Sequence, residues 1–247
     1  MPEANDTGWR GINETARERL ELRDYSSASP AEQLAAAGMD AGGVSALRKE
    51  LASEGAWIPG VELFARAVYQ QKGRGHFAEF AREHDGLLAD LGLWPEQWAT
   101  ARMFSGTAKG FHIHPPHIPE GEEPEPWLRK LYIEEPENFG ARPYDREQWD
   151  VMFFVQGMVD MVLVDERAGL ERRIMRFTIF GDDMPGPNNV GVVIPPGVAH
   201  SLRCLSGTDG IMVYGTSTSF DPSAEGRIES GVEAPLLPKA WQRYLDQ

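Results

Sequence analysis

The sequence has one cysteine, Cys204, among its 247 residues. A disulfide within the chain is therefore excluded, and so low a cysteine content is compatible with a reducing cytoplasm. The chain also lacks an uninterrupted apolar stretch long enough to span a bilayer. Its first residues, MPEANDTGWRGINE, are too polar and acidic for a secretory signal. From these absences we expect a cytoplasmic protein that makes no membrane contact.

Positive charge is scarce, since 24 Lys and Arg residues face 38 Asp and Glu residues and leave a formal net charge of −14. A protein that binds nucleic acid without sequence preference needs clustered Lys and Arg, so we expect no nucleic-acid partner. A phosphorylated small molecule is still compatible with this composition, because a few local cations suffice to bind its phosphates. A glycine-rich phosphate loop after a strand is missing, which excludes Rossmann and P-loop folds.

Short runs of β-branched and aromatic residues dominate the chain from Trp57 onward, and clusters of Gly, Pro, Asn and Asp separate them. Short strands at such close spacing predict a β-sandwich or β-barrel. The runs are VELFARAVYQ, VMFFV, VDMVLV, RIMRFTIF, VGVVI, HSLRCL and IMVYGT. Between the first two runs, FAEFAREHDGLLADLG predicts a short helix.

Residues 1–56 differ from the rest and predict a helical and loop-like extension, which leaves residues 57–247 for the barrel. Ser29 can cap a helix in SASPAEQLAAAG. A second short helix is predicted further on, with an apolar face formed by Val44, Leu47 and Leu51.

The segment 115–148 breaks the rhythm of strands because it is long, acidic and rich in proline. Long segments of this kind in compact domains are usually either functional or disordered. Two interpretations stay open: a lid or substrate wall at the mouth of the barrel, or a plain surface excursion.

Three histidines occupy positions that a barrel can bring together. His112 and His114 alternate in a predicted strand, so their side chains point to the same side. His200 follows the turn PPG and opens another strand. An imidazole transfers protons near neutral pH and also binds metals. A single inward histidine can equally be structural, as we expect for the buried thiol of Cys204.

The segments around these histidines resemble the two motifs of the cupin superfamily. The first motif is Gly, five residues, His-x-His and a later acidic residue, and here it runs from Gly106 to His114 with Glu120 as the acid. The second is Pro-x-Gly-x-x-His, which is PPGVAH here. The resemblance implies an all-β fold: a cupin barrel (double-stranded β-helix or jelly roll) with an N-terminal helical extension.

A more specific resemblance, over roughly residues 57–238, is to the dTDP-4-dehydrorhamnose 3,5-epimerase family of cupins. The matching segments, in the order of the family, are KGRGHFAEF, KGFH, VQGMVDMVLVDER, IPPGVAHSL and VYGTSTSFDPSAEGRI. This implies an isomerase that removes a proton next to a ketone of a nucleotide-linked keto sugar and returns it from the opposite face. It also implies a reaction without a cofactor, and a homodimer that pairs through barrel strands.

The resemblance implies roles for individual residues. His112 matches the general base, Tyr214 the general acid, and His200 a histidine beside the substrate. The implied substrate-binding residues are Arg74, Glu79, Lys109 and Phe220. The cations Arg74 and Lys109 suit the phosphates of a sugar nucleotide, and the phenyl ring of Phe220 matches an aromatic that stacks on the nucleotide base.

Three positions depart from the epimerase pattern. Lys109 stands where the family has Arg, which loses the bidentate fork of a guanidinium. Asp150 falls where a family Lys stabilises the enolate oxygen, and an anion cannot take that role. His114 stands where the family has Gln.

The His-x-His pair created by His114 supports an alternative, a metal-dependent cupin that acts as an oxygenase, an isomerase or a lyase. His112, His114 and His200 would bind Fe, Mn, Zn or Ni, with Glu120 or His117 as a further ligand. A third hypothesis is a non-catalytic sugar-binding cupin, which the anion at the lysine position motivates.

Overall fold

The computed structural model describes residues 41–71, 73–114, 147–184, 188–205, 207–220 and 226–227. Within these ranges lie helices α1 (Ala41–Ser53) and α2 (Leu87–Asp90) and twelve strands. The strands are β1 (Glu62–Ala65), β2 (Val68–Gln71), β3 (Gly75–Ala78), β4 (Gln97–Met103), β5 (Ala108–Ile113), β6 (Asp150–Gln156), β7 (Met158–Asp165), β8 (Ile174–Phe180), β9 (Val190–Ile194), β10 (Val198–Cys204), β11 (Gly210–Thr216) and β12 (Gly226–Arg227). The predicted helix after Ser29, His117, Glu120 and nearly all of segment 115–148 lie outside the described residues.

Two antiparallel sheets of five strands each make up the barrel. The strand order is β1-β9-β6-β11-β4 in the first sheet and β12-β5-β10-β7-β8 in the second, while β2 and β3 pair separately as a hairpin. Neighbouring strands in each sheet run antiparallel throughout. The all-β prediction is therefore confirmed.

Alternation along the strands explains how the sheets pack. In β8, Met175 and Phe177 are buried, while Arg176 between them is exposed. Inward side chains of both sheets meet in one core, for example Phe154 of the first sheet and Leu163 of the second. Full burial of such a side chain stabilises the fold by about 1.5–3 kcal/mol.

The helix predicted from Val44, Leu47 and Leu51 is confirmed as α1. Leu51 is buried in the barrel core, and the other two side chains pack against that core. This apolar face explains why the helix lies on the barrel. Neither helix of the described ranges has the length and apolar character needed to cross a membrane.

Strand β6 is buried on both faces. Its outward side chains, Val151 and Phe153, lie in a second apolar cluster with Leu88 of α2. The guanidinium of Arg66 covers the ring of Phe153 at 4.9 Å and forms a buried ion pair with Asp182 at 2.8 Å. Both faces of β6, the inner face in the barrel core and the outer face in the second cluster, are thus fixed by packing.

Two local predictions were wrong in part. The run VELFARAVYQ is two strands, β1 and β2, which are separated at Arg66, a residue whose buried side chain pairs with Asp182. The helix predicted over FAEFAREHDGLLADLG is confined to α2, and the preceding residues 75–78 pair with β2 as strand β3. Long-range pairing decides the structure at both places.

Candidate active site

A cavity of about 210 Å³ lies between the two sheets. Its lining combines polar groups with apolar walls, as small-molecule sites usually do. The lining residues are Gln97, Ala101, Lys109, His112, His114, Gln148, Asp150, Met152, His200, Leu202, Met212, Tyr214, Thr216 and Phe220.

The histidines of both sequence motifs meet in this cavity. Strands β5 and β10 are neighbours, and His112 is the register partner of His200. Their rings are nearly parallel, with centroids 5.8 Å apart and planes at 21°. The ring of His114 lies 6.0 Å from that of His200. The expectation that the three rings share one side of the sheet agrees with this geometry.

A close approach of β5 to β10 sets the register of the two histidines. Gly110 has a φ of 135°, and a Cβ at this position would lie 2.5 Å from the Oγ of Ser201. The pairing of β10 with β5 shifts between His200 and Leu202, which marks a β-bulge or irregularity. The Ser201 hydroxyl donates to the carbonyl of Lys109 at 2.7 Å and joins the strands at this point.

Asp150, the first residue of β6, is a central group of the cavity that the sequence analysis did not assign to the site. Its Oδ2 lies 3.3 Å from Nε2 of His114 and 3.6 Å from Nε2 of His200. Burial alone would raise the pKa of Asp150, but the charge of His114, its hydrogen bond and the charge of His200 together lower this pKa to about 2. The carboxyl group is therefore an anion at neutral pH.

His200 is held in its neutral form. Burial lowers the pKa of this imidazole to about 4, although the nearby Asp150 carboxylate opposes the shift. The positive charges of His112 and His114, when present, lower the pKa further. At neutral pH one ring nitrogen of His200 thus keeps its lone pair.

A hydrogen-bonded chain supports the Asp150 carboxylate from behind. Thr218 Oγ1 donates to Gln148 Oε1 at 2.6 Å, which fixes the orientation of this amide. Gln148 Nε2 in turn donates to Asp150 Oδ1 at 3.0 Å and lies 3.0 Å from Nε2 of His114. Thr216 Oγ1 anchors the turn by donating to the Thr218 carbonyl at 2.7 Å.

Tyr214, Lys109 and Phe220 enter the cavity lining from three places. Tyr214 comes from β11 of the first sheet and is half-buried. Lys109 comes from β5 of the second sheet and is exposed. Phe220 follows β11 with 60% of its surface exposed, and its backbone N–H donates to Oε1 of Gln97 at 2.9 Å. The last two groups therefore form the solvent side of the cavity.

Comparison of the sequence with known proteins gives a distant relative but no family match. No protein-family model matches the sequence. The chain is 27% identical over 166 residues to the spore coat polysaccharide biosynthesis protein SpsL of Bacillus subtilis strain 168, in an alignment that covers 67% of this chain and 83% of that protein.

Two solved structures have the same architecture. NovW, a 4-keto-6-deoxy sugar epimerase from the novobiocin biosynthetic gene cluster of Streptomyces spheroides, superposes with a TM-score of 0.50, at 18% identity over 75% of this chain and 81% of that chain. A dTDP sugar isomerase from Desulfovibrio desulfuricans G20 gives a TM-score of 0.51, at 16% identity over 75% of this chain and 92% of that chain. This chain has the same fold as these two proteins, a cupin-type jelly-roll barrel. The fold predicted from the two histidine motifs is thereby confirmed.

Two predicted substrate-binding residues lie apart from the lining of this cupin cavity. Arg74 is exposed in the turn of the β2–β3 hairpin. Glu79 follows β3, and its carboxylate accepts hydrogen bonds from Arg82 at 3.0 and 2.8 Å. Neither residue belongs to the described lining of the cavity, so their role in binding stays a prediction.

The grouping of possible metal ligands in the cupin cavity differs from the predicted set of His112, His114, His200 and Glu120. Among the residues that the structure describes, His114, Asp150 and His200 each offer one ligand atom, and these atoms lie within 4.8 Å of one another. His112 does not belong to this group. The sequence did contain a signal for Asp150. Residues alternate between the two faces of a strand, so in DVMFFVQ Asp150 shares the inward face with Met152 and Phe154.

Proposed function

We propose that this protein is an isomerase that epimerises a nucleotide-linked keto sugar by removing and returning a proton next to its ketone. The observation that carries the proposal is the placement of two groups suited to proton transfer, His112 and Tyr214, in one cavity but on different sheets. Epimerisation needs a base and an acid that reach one carbon from opposite faces. The cupin fold shared with known sugar epimerases supports the same conclusion.

The proton balance of the reaction closes within these residues and water. His112 takes the proton, and the electrons of the broken C–H bond move into the ketone to form an enolate. The Tyr214 hydroxyl then gives a proton to the same carbon from the other side. Exchange with water returns both side chains to their starting state. The reaction transfers no electrons to an acceptor, so it needs no redox cofactor.

The solvent side of the cavity suits the nucleotide. The Lys109 ammonium can hold a phosphate through a charge-assisted hydrogen bond. The exposed ring of Phe220 can stack on a base, and such stacking is typical of single bases bound to proteins. We therefore assign Lys109 and Phe220 to substrate binding. We assign His200 to the cavity wall beside the general base, His112.

The assembly and location are part of the same proposal. We propose a homodimer that pairs through barrel strands and acts in the cytoplasm. Four edge strands, β1 and β4 in one sheet and β12 and β8 in the other, have one described neighbour each, and such edges commonly pair with another chain. Sedimentation equilibrium of the purified chain tests the dimer, and a monomer at all concentrations would refute it.

Solvent exchange tests the activity directly. The enzyme is incubated with dTDP-4-keto-6-deoxyglucose in heavy water, and deuterium at the carbons flanking the ketone is followed by NMR. We expect exchange that falls by about 10²–10⁴-fold in H112N, because the base is lost. Y214F keeps the exchange but yields less epimer, because exchange requires only the base. No deuterium at high enzyme concentration would refute the proposal, and binding without exchange would favour a sugar-binding module.

A further inference from the structure

Proton removal next to a ketone places negative charge on the ketone oxygen, and this charge needs a cation or strong donors nearby. The described lining of the cavity contains a single lysine or arginine, Lys109, and it stands on the solvent side. The buried end carries the Asp150 anion instead. As it stands, this carboxylate would oppose the enolate.

We propose that His114, Asp150 and His200 bind a divalent transition-metal ion, and that this ion supplies the missing positive charge beside the enolate oxygen. The site is inferred from the side chains themselves. The role given to the ion rests on the proposed epimerase function.

The two distances from the Asp150 carboxylate to the imidazoles are close to those around one ion, and all three donor atoms lie within 4.8 Å of one another. Ligand atoms about 2.1 Å from a metal are separated by roughly 3.0 Å in octahedral and 3.4 Å in tetrahedral geometry. Asp150 Oδ2 lies 3.3 Å from His114 Nε2 and 3.6 Å from His200 Nε2. Both imidazole nitrogens thus converge on the same carboxylate oxygen, and small movements of the side chains bring all three atoms to bonding distance.

The chemistry of the donors fits as well. Two imidazoles and one carboxylate are typical of Zn, Fe, Mn, Co and Ni sites that keep open positions. The side chains of His114, Asp150 and His200 are only 8%, 4% and 7% exposed. A buried anion in contact with histidines gains from a cation more than an exposed one does.

This ligand set leaves His112 outside the coordination group, so the same residue can still serve as the base. It also gives one explanation for two departures from the epimerase pattern. Where that family carries Gln and a catalytic Lys, this chain has His114 and Asp150, and both are ligands in the proposed site. The positive charge of the lysine is thereby replaced by that of an ion.

A competing arrangement needs no metal. Gln148 Nε2 lies 3.0 Å and Asp150 Oδ2 lies 3.3 Å from His114 Nε2. In one tautomer of His114 this nitrogen accepts a hydrogen bond from the amide, and in the other it donates to the carboxylate. The group is then a closed hydrogen-bonded network around the Asp150 carboxylate. Metal binding requires this amide to move aside, so the two arrangements are mutually exclusive at His114.

Metal binding is measured first, without substrate. The full chain, purified without a histidine tag and stripped with chelator, is titrated with Zn²⁺ by calorimetry and with Co²⁺ by visible absorption. We expect one ion per chain. D150N and H114Q should bind more than ~100-fold more weakly, since loss of a supporting residue alone commonly costs 10–100-fold. The matched controls D160N and H84Q, which change a buried Asp outside the cavity and an exposed His, should bind like the unmodified chain.

Absence of binding by the unmodified chain would overturn the site, and so would equal affinity in D150N. If a variant does not fold, titration of the unmodified chain alone still shows whether the protein binds an ion. The role of the ion is tested separately by solvent exchange. Chelator should abolish exchange in the unmodified protein, and Co²⁺ should restore it. The variant H114Q/D150K, which restores the family pattern, should bind no ion and exchange equally with and without chelator. Exchange that ignores chelator in the unmodified protein would refute the role while leaving the epimerase function intact.

Discussion

Gly110 provides a sharp test of how the site is positioned. It lies in β5 two residues before His112, and its φ of 135° is in the region that favours glycine. A Cβ on this residue would lie 2.5 Å from Oγ and 2.8 Å from Cα of Ser201. Backbone atoms cannot rotate away as a flexible side chain can. Gly110→Ala must therefore push β5 away from β10, where His112 is paired with His200.

The cost has two parts. A positive φ costs an L-residue about 1–2 kcal/mol, and overpacking of a tight contact adds about 1–3 kcal/mol. The sum is about 2–5 kcal/mol in the free energy of unfolding. Gly106→Ala is the matched control, because Gly106 has a φ of 76° but nothing within 4 Å of its Cβ position. The control should lose only the backbone part, about 1–2 kcal/mol.

Urea unfolding of the two variants and the unmodified chain measures this difference. Solvent exchange at the keto sugar measures the effect on the site, where a displacement of about 1 Å can cost ~10²-fold in rate. Gly110→Ala should lose exchange while Gly106→Ala keeps it. Equal losses of stability in both variants, or full exchange in Gly110→Ala, would refute the idea that this contact sets the histidine register.

Three further predictions concern other parts of the chain. Replacing Arg66 by Met should cost about 3–5 kcal/mol in urea unfolding, because it leaves the buried Asp182 carboxylate unpaired. The exposed pair of Arg48 with Glu62 gives the contrast: Arg48→Met should cost less than about 1 kcal/mol, and equal costs would contradict the assignment. In metal-free protein, stability should fall as the pH drops from 6.5 to about 4, because the unfolded chain then protonates His200 while the folded chain does not. The loss approaches about 3 kcal/mol, and a pH-independent free energy of unfolding over this range would show that the folded imidazole titrates normally. Phe220→Ala should weaken dTDP binding by about 1–3 kcal/mol in calorimetry with unchanged stability, and unchanged affinity would remove the ring from the nucleotide site.

Much of the barrel could be predicted because its strands carry local signals. The runs VMFFV, VDMVLV and RIMRFTIF are apolar and bounded by turn residues, and they became β6, β7 and β8. Strand β4, QWATARM, went unpredicted because its outward residues are exposed and mixed in character. The break between β1 and β2 lies at Arg66, whose partner Asp182 is 116 positions away, so no local pattern shows it.

The site was predictable in the same uneven way. His112 and His200 stand in short motifs whose turns and spacing are local, and the structure places both in one cavity. The sequence analysis singled out Asp150 only because the epimerase family has a lysine at this position. Its contact with His114 depends on how β6 of one sheet packs against β5 of the other. The sequence of a single strand cannot show which acid lies beside which histidine of another strand.

Because β6 is buried on both faces, the inner end of the cavity and its solvent-exposed rim differ in how freely their residues can be substituted. The strand that carries Asp150 also supports the core through Phe154 and the outer aromatic shell through Phe153, so a substitution there disturbs folding as well as chemistry. Lys109 and Phe220 carry no comparable packing duty, since both side chains are exposed. Substitutions at Lys109 and Phe220 are therefore expected to change which ligands the cavity accepts at little cost in folding stability, whereas substitutions in β6 affect both.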